Sequence, residues 1–194
     1  MSEILSKIKQ QLHESSEINR LIAETLSERI AEVAVMMADC IKSGGKVIFF
    51  GNGGSASDAQ HLAGELVGRF RMERNAFPAL SLTTNTSIIT AVANDYGYDM
   101  IFARQVEAFG REIDLVVGIS TSGNSPNVVA GIKKAKQIGA KTIGMTGKDG
   151  GKIGEIAEIV LTVPSSDTPR IQEAHIVMGH IICDIVEKLL ASTI

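Results

Sequence analysis

His61 and Glu65 are the residues whose types and spacing most directly suggest chemistry. Side chains four positions apart on a helix share one face, a turn from each other. A histidine and a carboxylate so placed can bind one metal ion, or act as an acid and a base. Polar pairs at this spacing are also common on solvated helix faces, so the pair alone decides little. Gly64, which lies between them, leaves room for a ligand beside that face.

Further polar side chains interrupt an otherwise apolar helical pattern near the C-terminus, at Gln172, His175 and His180. A polar group inside so apolar a helix must find a hydrogen-bond partner or face a cavity. For His175 we prefer the interpretation of a hydrogen-bonded core histidine. His180 directly follows Gly179 and is harder to explain by packing alone, so it is a candidate functional residue.

Two short polar loops follow apolar runs that are typical of buried strands. They are Gly51-Asn52-Gly53-Gly54-Ser55-Ala56-Ser57 and Ser120-Thr121-Ser122-Gly123-Asn124-Ser125-Pro126. Each precedes a helical pattern, so each offers backbone N–H groups, hydroxyls and a helix dipole to an anion. Helix capping would explain Ser125, which precedes a proline, but not the other hydroxyls of the second loop. The two loops therefore predict a phosphorylated small molecule as the ligand.

Nucleotide ligands fit the sequence less well. The second loop contains no Lys or Arg, which suits a sugar phosphate better than a triphosphate. Gly51, Gly53 and Ala56 formally match a dinucleotide fingerprint, but the next predicted strand ends in Thr83-Thr84-Asn85, without an acid for the ribose. A Walker sequence is absent from the chain. These observations argue against NAD and ATP.

The composition bounds the class of protein. At 194 residues, 44% of them hydrophobic, the chain suits one α/β domain with a sizeable core. A net charge of −3 and the absence of Trp give no reason to expect nucleic-acid binding. Neither a signal peptide nor an apolar run of the roughly 20 residues in a membrane span is recognisable. We expect a cytoplasmic protein with Cys40 and Cys183 as buried, reduced thiols.

Hydrophobic patterning predicts the elements that position these residues. Residues 3–43 are predicted to be helical, packing partly on the sheet and partly on a partner chain. Strands and helices then alternate, which predicts a parallel sheet covered by helices on both faces. Ligands bind such sheets beyond the carboxyl ends of the strands, where both polar loops lie. The predicted strands are 46–50, 78–83, 114–119, 140–145 and 158–163, and the predicted helices are 55–69, 86–93, 99–109, 126–138 and 169–191.

These motifs resemble the sugar isomerase (SIS) domain family over nearly the whole chain, and within it the bacterial phosphoheptose isomerases. The resemblance implies a single SIS domain over residues 1–194 with a helical extension at 1–43. It implies a flavodoxin-like or Rossmann-like three-layer α/β sandwich around a five-stranded parallel sheet, and a cytoplasmic homotetramer with active sites between subunits. The matching stretches are 51–56, 61–66, 93–95, 120–125 and 172–175 with His180.

The resemblance also implies a reaction and its residues. One zinc ion per subunit would be held by His61, Glu65, Gln172 and His180, with Glu65 and His180 as the acid–base pair. The implied reaction converts sedoheptulose 7-phosphate to D-glycero-D-manno-heptose 7-phosphate, which supplies heptose for lipopolysaccharide core or other surface glycans. Substrate contacts are implied for Asn52, Gly53, Gly54, Ser55, Asn94, Asp95, Ser120, Thr121, Ser122, Ser125 and Gln172.

Helix geometry restricts how such a zinc site could be built. Gln172 and His180 are eight residues apart, a rise of about 12 Å and a rotation of roughly 80° on a straight helix. A single ion with bonds of about 2 Å cannot bind both side chains when they lie on one straight helix. If both are ligands, Gln172 lies outside the regular helix or comes from a second chain, and we predict the second chain.

Some points stay open at this stage. Taken alone, Asn94-Asp95 could equally mark the turn after a helix. Two functions without turnover are alternatives to the enzyme: a sugar-phosphate sensor, and a regulator like the SIS protein that associates with a replication initiator. Such regulators lack the metal and catalytic set that this chain keeps. Turnover that depends on Glu65 and His180 would distinguish the enzyme from the sensor and the regulator.

Overall fold

The structure is a computed structural model that describes residues 1–191. Its strands are β1 (Val47–Gly51), β2 (Ala79–Ser81), β3 (Leu115–Ser120), β4 (Lys141–Gly147) and β5 (Ile159–Val163). Its helices are α1 (Ser2–Thr25), α2 (Ser27–Lys42), α3 (Gly54–Val67), α4 (Thr86–Tyr96), α5 (Ile101–Phe109), α6 (Pro126–Gln137), α7 (Gly151–Ile156) and α8 (Thr168–Ala191). The strands form one parallel sheet in the order β2-β1-β3-β4-β5, which confirms the predicted five-stranded α/β fold.

Alternate strand residues supply the cores on the two faces of the sheet. Val47 and Phe49 of β1 pack with buried residues of α1, α2, α3 and α8. Ile48 and Phe50 face the other way and pack with α5, α6 and α7. Every residue of β1 and β3 is buried, because helices cover both faces of the parallel sheet. Three layers result, with the carboxyl edge of the sheet left open to loops.

The leading helical segment forms a pair of helices, as the sequence predicted. Residues 3–43 are divided at Leu26 into α1 and α2. The hydroxyls of Thr25 and Ser27 donate to the carbonyls of Leu21 and Ala23, one turn back. Such local side-chain bonds compete with the helix ladder and bend helices.

Other boundaries differ by a turn or less, with one addition. β2 covers only part of the predicted strand 78–83. α4 continues past the expected end at Ala93 and stops at Tyr96, before the positive-φ Gly97. α7 was not predicted, because its six residues are too few to show a periodic pattern.

The first half of α1 carries an exposed apolar stripe. Ile4, Ile8 and Leu12 are 58%, 51% and 66% exposed, whereas Ile22 near the end of the helix is buried. α1 contacts α2 and α8, and α2 contacts the sheet, so the expected packing on the body of the protein is confirmed. The expected contact with a partner chain stays a prediction.

Two further expectations can be compared with the structure. Cys40 and Cys183 are buried free thiols, as predicted. Within residues 1–191, no helix has both the length and the apolar character needed to cross a bilayer.

Candidate active site

The two polar loops lie side by side at the carboxyl edge of the sheet. β1 and β3 are hydrogen-bonded neighbours whose register pairs Gly51 with Ile119, so both strands end at the same edge. We call residues 51–54 the glycine loop and residues 120–125 the serine loop. They lead into α3 and α6, whose N-termini carry the partial positive charge and spare N–H groups that attract an anion.

The glycine loop turns tightly into α3. Gly53 has a φ of +54°, a conformation that L side chains rarely adopt. The N–H of Ser55 donates to the Asn52 carbonyl at 3.0 Å and closes the turn. Gly53 and Gly54 are exposed, while Ser55 is only 3% exposed. Backbone N–H groups of the two glycines, rather than the Ser55 hydroxyl, are therefore the donors that this loop presents outward.

Three hydroxyl groups converge in the serine loop. Ser120 Oγ lies 2.9 Å from Ser125 Oγ and 3.5 Å from Ser122 Oγ. Ser125 occupies the N-cap position of α6, but its hydroxyl makes no capping hydrogen bond. The expected side-chain cap is thus not made, because that hydroxyl turns toward Ser120. Thr121 is half-buried beside them. The arrangement concentrates neutral donors at the start of α6.

A side-chain bridge that the sequence reasoning missed joins the two loops. Asn52 and Asn127 form a reciprocal amide pair, with N–O distances of 2.8 and 2.9 Å. The Tyr98 hydroxyl donates to the same Asn52 oxygen at 3.1 Å. Because Asn127 is 1% exposed, the pair fixes the spacing of the loops from inside. The available signal was an amide side chain in the first turn of the helix after the serine loop.

Two contacting helices, α3 and α8, bring together three of the predicted metal ligands. His61 Nε2 of α3 lies 2.8 Å from His180 Nε2 of α8 and 3.0 Å from Glu65 Oε1. All three residues offer a ligand atom within 4.8 Å of one another. A Cβ on Gly64 would meet nothing within 4 Å, so the expected space beside this face is open. We call His61, Glu65 and His180 the His/Glu/His cluster.

The donor set of the cluster fits a zinc ion. Zinc takes imidazole nitrogens and carboxylate oxygens, and at bonds near 2.0–2.1 Å tetrahedral ligand atoms lie about 3.3 Å apart. The separations of 2.8 and 3.0 Å would need to open by only a few tenths of an ångström. Three protein ligands leave a fourth position for water, substrate or another side chain. Other divalent ions also accept these ligands.

Asp58 is a site residue that the sequence reasoning overlooked. It lies one turn before His61 on α3, and its Oδ2 is buried without a hydrogen-bond partner among the described residues. Burial raises the pKa of Asp58 to about 6, although the nearby His61 opposes the shift. A carboxyl group that titrates near neutral pH therefore adjoins the cluster. Its spacing of three residues from His61 was the available signal.

Gln172 lies apart from the cluster. It belongs to the regular part of α8, which removes the alternative that it leaves the helix. Its amide packs against Gly54, so closely that a Cβ there would collide with the Gln172 amide nitrogen. Eight residues of helix, a rise of about 12 Å, separate it from His180. The Gln172 and His180 side chains of one chain thus cannot bind the same ion.

The remaining candidates behave differently from one another. His175 is buried, and its Nε2 donates to the Thr146 carbonyl at 3.0 Å, which agrees with a core histidine. Burial lowers the pKa of His175 to about 4, with the Thr146 carbonyl partly opposing, so the ring is neutral at pH 7.

Asn94 and Asp95 are exposed in the last turn of α4 and hydrogen-bond to each other at 2.8 Å. Within residues 1–191, no hydrogen bond joins these two side chains to the loops or the cluster.

Known proteins are similar to this chain in sequence and in fold. The sequence profile of the SIS domain matches residues 10–147. A phosphoheptose isomerase of Geotalea daltonii is 52% identical over 187 residues, covering 96% of this chain and 97% of the relative. One of Aquifex aeolicus is 51% identical, covering 96% and 98%. The solved phosphoheptose isomerase GmhA of Neisseria gonorrhoeae is 40% identical and superposes with a TM-score of 0.91, covering 95% of this chain and 99% of that one. This chain therefore belongs to the SIS-domain family, among the phosphoheptose isomerases.

Proposed function

We propose that this chain is the ketose–aldose isomerase that converts sedoheptulose 7-phosphate to D-glycero-D-manno-heptose 7-phosphate. One observation carries the proposal: two polar loops lie side by side at helix N-termini, and α3, which the glycine loop opens, also carries two members of the His/Glu/His cluster. A phosphate held at the loops would place the sugar chain within reach of an acid–base pair. The relatives named phosphoheptose isomerase at 52% and 51% identity support the choice of substrate.

The loops bind the phosphate without a cationic side chain. Hydroxyls of the serine loop and backbone N–H groups at the starts of α3 and α6 donate to its oxygens. Gln172, packed on Gly54, is placed to donate to the substrate beside the glycine loop. Asn94 and Asp95 are assigned to sugar hydroxyls, and this requires them to exchange their mutual hydrogen bond for bonds to substrate. The proposed phosphate donors are Gly53, Gly54, Ser120, Thr121, Ser122 and Ser125.

The reaction transfers protons and needs no external oxidant. A proton leaves C1 of the ketose and the C2 carbonyl oxygen gains one, which gives an enediol; a proton then returns at C2 while the C1 hydroxyl loses its proton and becomes the aldehyde. Glu65 accepts the C1 proton, and His180 is the second group that gives or takes a proton. Glu65 Oε1 faces His61, so Oε2 is the oxygen available as base. His180 Nε2 faces His61, so Nδ1 is its available nitrogen.

The cofactor proposed is one zinc ion per subunit at the His/Glu/His cluster. When bound, a zinc ion polarises the substrate oxygens and stabilises the negative charge of an enediolate. His61 holds the ion and has no further role in proton transfer. Gln172 of a neighbouring copy is the proposed fourth ligand, since a Gln172 from the same chain cannot reach the ion.

The assembly proposed is a homotetramer in the cytoplasm with sites between subunits. Its support is the exposed apolar stripe at Ile4, Ile8 and Leu12, together with the separation of Gln172 from the cluster. A monomer with full activity would contradict this part of the proposal. The product is proposed to enter heptose synthesis for lipopolysaccharide core or other surface glycans.

The experiment that tests the function follows sedoheptulose 7-phosphate by NMR in the presence of purified, metal-analysed protein. We expect the signal of an aldoheptose 7-phosphate, abolished by Glu65→Gln or His180→Ala. Binding of the sugar phosphate by metal-loaded protein without conversion would contradict the enzyme and identify a sensor.

A further inference from the structure

A buried ion pair lies beneath the irregular segment that follows α3. Arg74 Nε is 2.9 Å from Glu187 Oε1, and the two side chains are 4% and 1% exposed. Arg74 belongs to residues 68–78, which connect α3 to β2 without regular secondary structure. Glu187 lies on α8, seven residues after His180 and therefore on the same helical face. Burying two charges is costly unless further hydrogen bonds satisfy them.

Glu187 organises the segment through its backbone. Its carboxylate accepts from the N–H groups of Phe70, Arg71 and Met72 at 2.7, 2.8 and 3.0 Å. Together with Arg74, these consecutive donors satisfy both oxygens of the buried carboxylate. The same donors keep the pKa of Glu187 below its usual range even though burial raises it. The segment is thus fixed to α8 at one side chain.

Arg74 connects the same segment to α3. Its Nη2 donates to the carbonyl of Glu65 at 2.9 Å, and its Nη1 donates to that of Leu66 at 2.9 Å. The guanidinium carbon lies 3.8 Å from the centre of the Phe77 ring, which covers the group. Arg74 therefore holds the last turns of α3 by the backbone of a cluster residue. Lysine could not make these bonds, because they use the planar fork of arginine.

The segment also contacts the second acid–base residue. The Phe70 ring lies 5.4 Å from the His180 ring, at an interplanar angle of 32°. Arg71 lies over the Phe70 ring, with 5.4 Å between its guanidinium carbon and the ring centre. Since the Phe70 N–H is bonded to Glu187, the position of this ring depends on the ion pair.

We infer that Arg74 and Glu187 are positioning residues that set the spacing between Glu65 and His180. A proton on His61 Nε2 can bridge fully to only one of its two neighbours, His180 or Glu65, so hydrogen bonding alone holds the three side chains together less firmly than a cation would. A rigid support must hold them in that position, as outer partners do in other metal sites. The ion pair supplies it by fixing the Glu65 backbone and one face of the His180 ring. The role in turnover rests on the proposed isomerase function, whereas the effect on metal binding does not.

The test measures zinc affinity, because lost stability alone would not move it. Arg74→Lys and Glu187→Gln are made in the full chain, stripped of metal and titrated with zinc against a chromophoric chelator. We expect zinc to bind about 10- to 100-fold more weakly, the range seen when supporting residues of metal ligands are removed. With substrate, we expect kcat to fall while KM, set by the phosphate loops, stays unchanged.

Asp114→Asn is the matched control. Asp114 is also a buried carboxylate with an ion pair to Lys46 and backbone donors, but it precedes β3 and bonds to Lys46 and Arg111 rather than to α3 or to residues 68–78. We expect this variant to melt at a lower temperature with wild-type zinc affinity. The inference would be overturned if the Arg74→Lys and Glu187→Gln variants also melted at a lower temperature but kept wild-type zinc affinity.

Phe70→Leu keeps the test decisive if the ion-pair variants fail to fold. It preserves the ion pair and the backbone bonds while removing the ring from His180. We expect weaker zinc binding and a shifted pH profile of kcat, and a wild-type value of both would overturn the inference. If the wild-type protein does not turn over the substrate, the proposed function is wrong. The zinc titrations would still decide whether Arg74 and Glu187 position the metal ligands.

Discussion

Two groups of ionisable side chains differ in how they are satisfied. At the amino edge of the sheet, Asp114 is fully buried and accepts from the N–H groups of Lys46 and Arg111 at 2.9 and 2.8 Å, with the Lys46 ammonium beside it. In the His/Glu/His cluster between α3 and α8, the nitrogens of His61 and His180 face each other across 2.8 Å, beside the Glu65 carboxylate. Donors surround the first group, whereas the second is a set of converging ligand atoms.

This difference separates a structural cluster from a functional one. A buried carboxylate with all its donors stabilises the fold, and nothing need bind there. Converging ligand atoms in a partly exposed position gain most when a cation or a substrate completes them. Local arrangements that are poor for stability tend to mark functional sites. Substitutions in the His/Glu/His cluster should therefore change function, and those around Asp114 should change stability.

Glu65→Gln gives the largest expected effect and tests the His/Glu/His cluster. Removal of the base should lower kcat about 10²- to 10⁴-fold, the range typical of general acid–base catalysis. The melting temperature should hardly change, because the carboxylate is partly exposed. Near-normal turnover measured by NMR would remove Glu65 from the mechanism.

His175→Gln examines a core group that supports the carboxyl edge. The ring has a folded pKa of about 4 against an ordinary 6.5, so the unfolded chain binds more protons between these values. Wild-type stability should thus fall as the pH drops from 6.5 to 4, by at most about 3 kcal/mol for a shift of this size.

Urea unfolding across that pH range measures the effect. The variant should lose less stability than wild type on acidification. Asp58, with a folded pKa of about 6 against an ordinary 3.8, acts in the opposite direction and is present in both proteins. An identical acid slope in the two proteins would contradict the assignment to His175.

Asp114→Asn reverses the expectation at the amino edge. Loss of the buried charge from its donors should lower the free energy of unfolding by about 2 kcal/mol. Turnover should be unchanged in protein that is still folded, because the residue lies at the far end of β3. Parallel urea melts and kcat measurements test both parts, and a loss of kcat would contradict the division between the structural and the functional group.

Ser122→Ala should give the smallest effect. One hydrogen bond to a phosphate oxygen contributes about 1 kcal/mol, so KM should rise roughly fivefold with little change in kcat. Ser43→Ala, the same change in an exposed serine after α2, is the control and should leave KM unaltered. An unchanged KM in both variants would argue against phosphate binding at the Ser122 hydroxyl.

Much of the fold was predictable from the sequence because its signals are local. Runs of buried β-branched residues predicted the order of strands and helices, but the sequence did not place the break between the two leading helices at Leu26, where hydroxyls bond to the helix backbone. The loops and the His61–Glu65 pair were found because the loops are continuous in sequence and the pair has the four-residue spacing of one helix face. Arg74 and Glu187 were missed because they are 113 residues apart and meet only through the tertiary fold.

The most direct test restores zinc to chelator-treated protein and measures bound metal and isomerisation of sedoheptulose 7-phosphate in the same samples. If the His/Glu/His cluster is the catalytic centre, activity should return in proportion to zinc, up to one ion per subunit, and should not return in the His61→Ala variant. Full turnover by protein without divalent metal, or full zinc occupancy without turnover, would contradict the account.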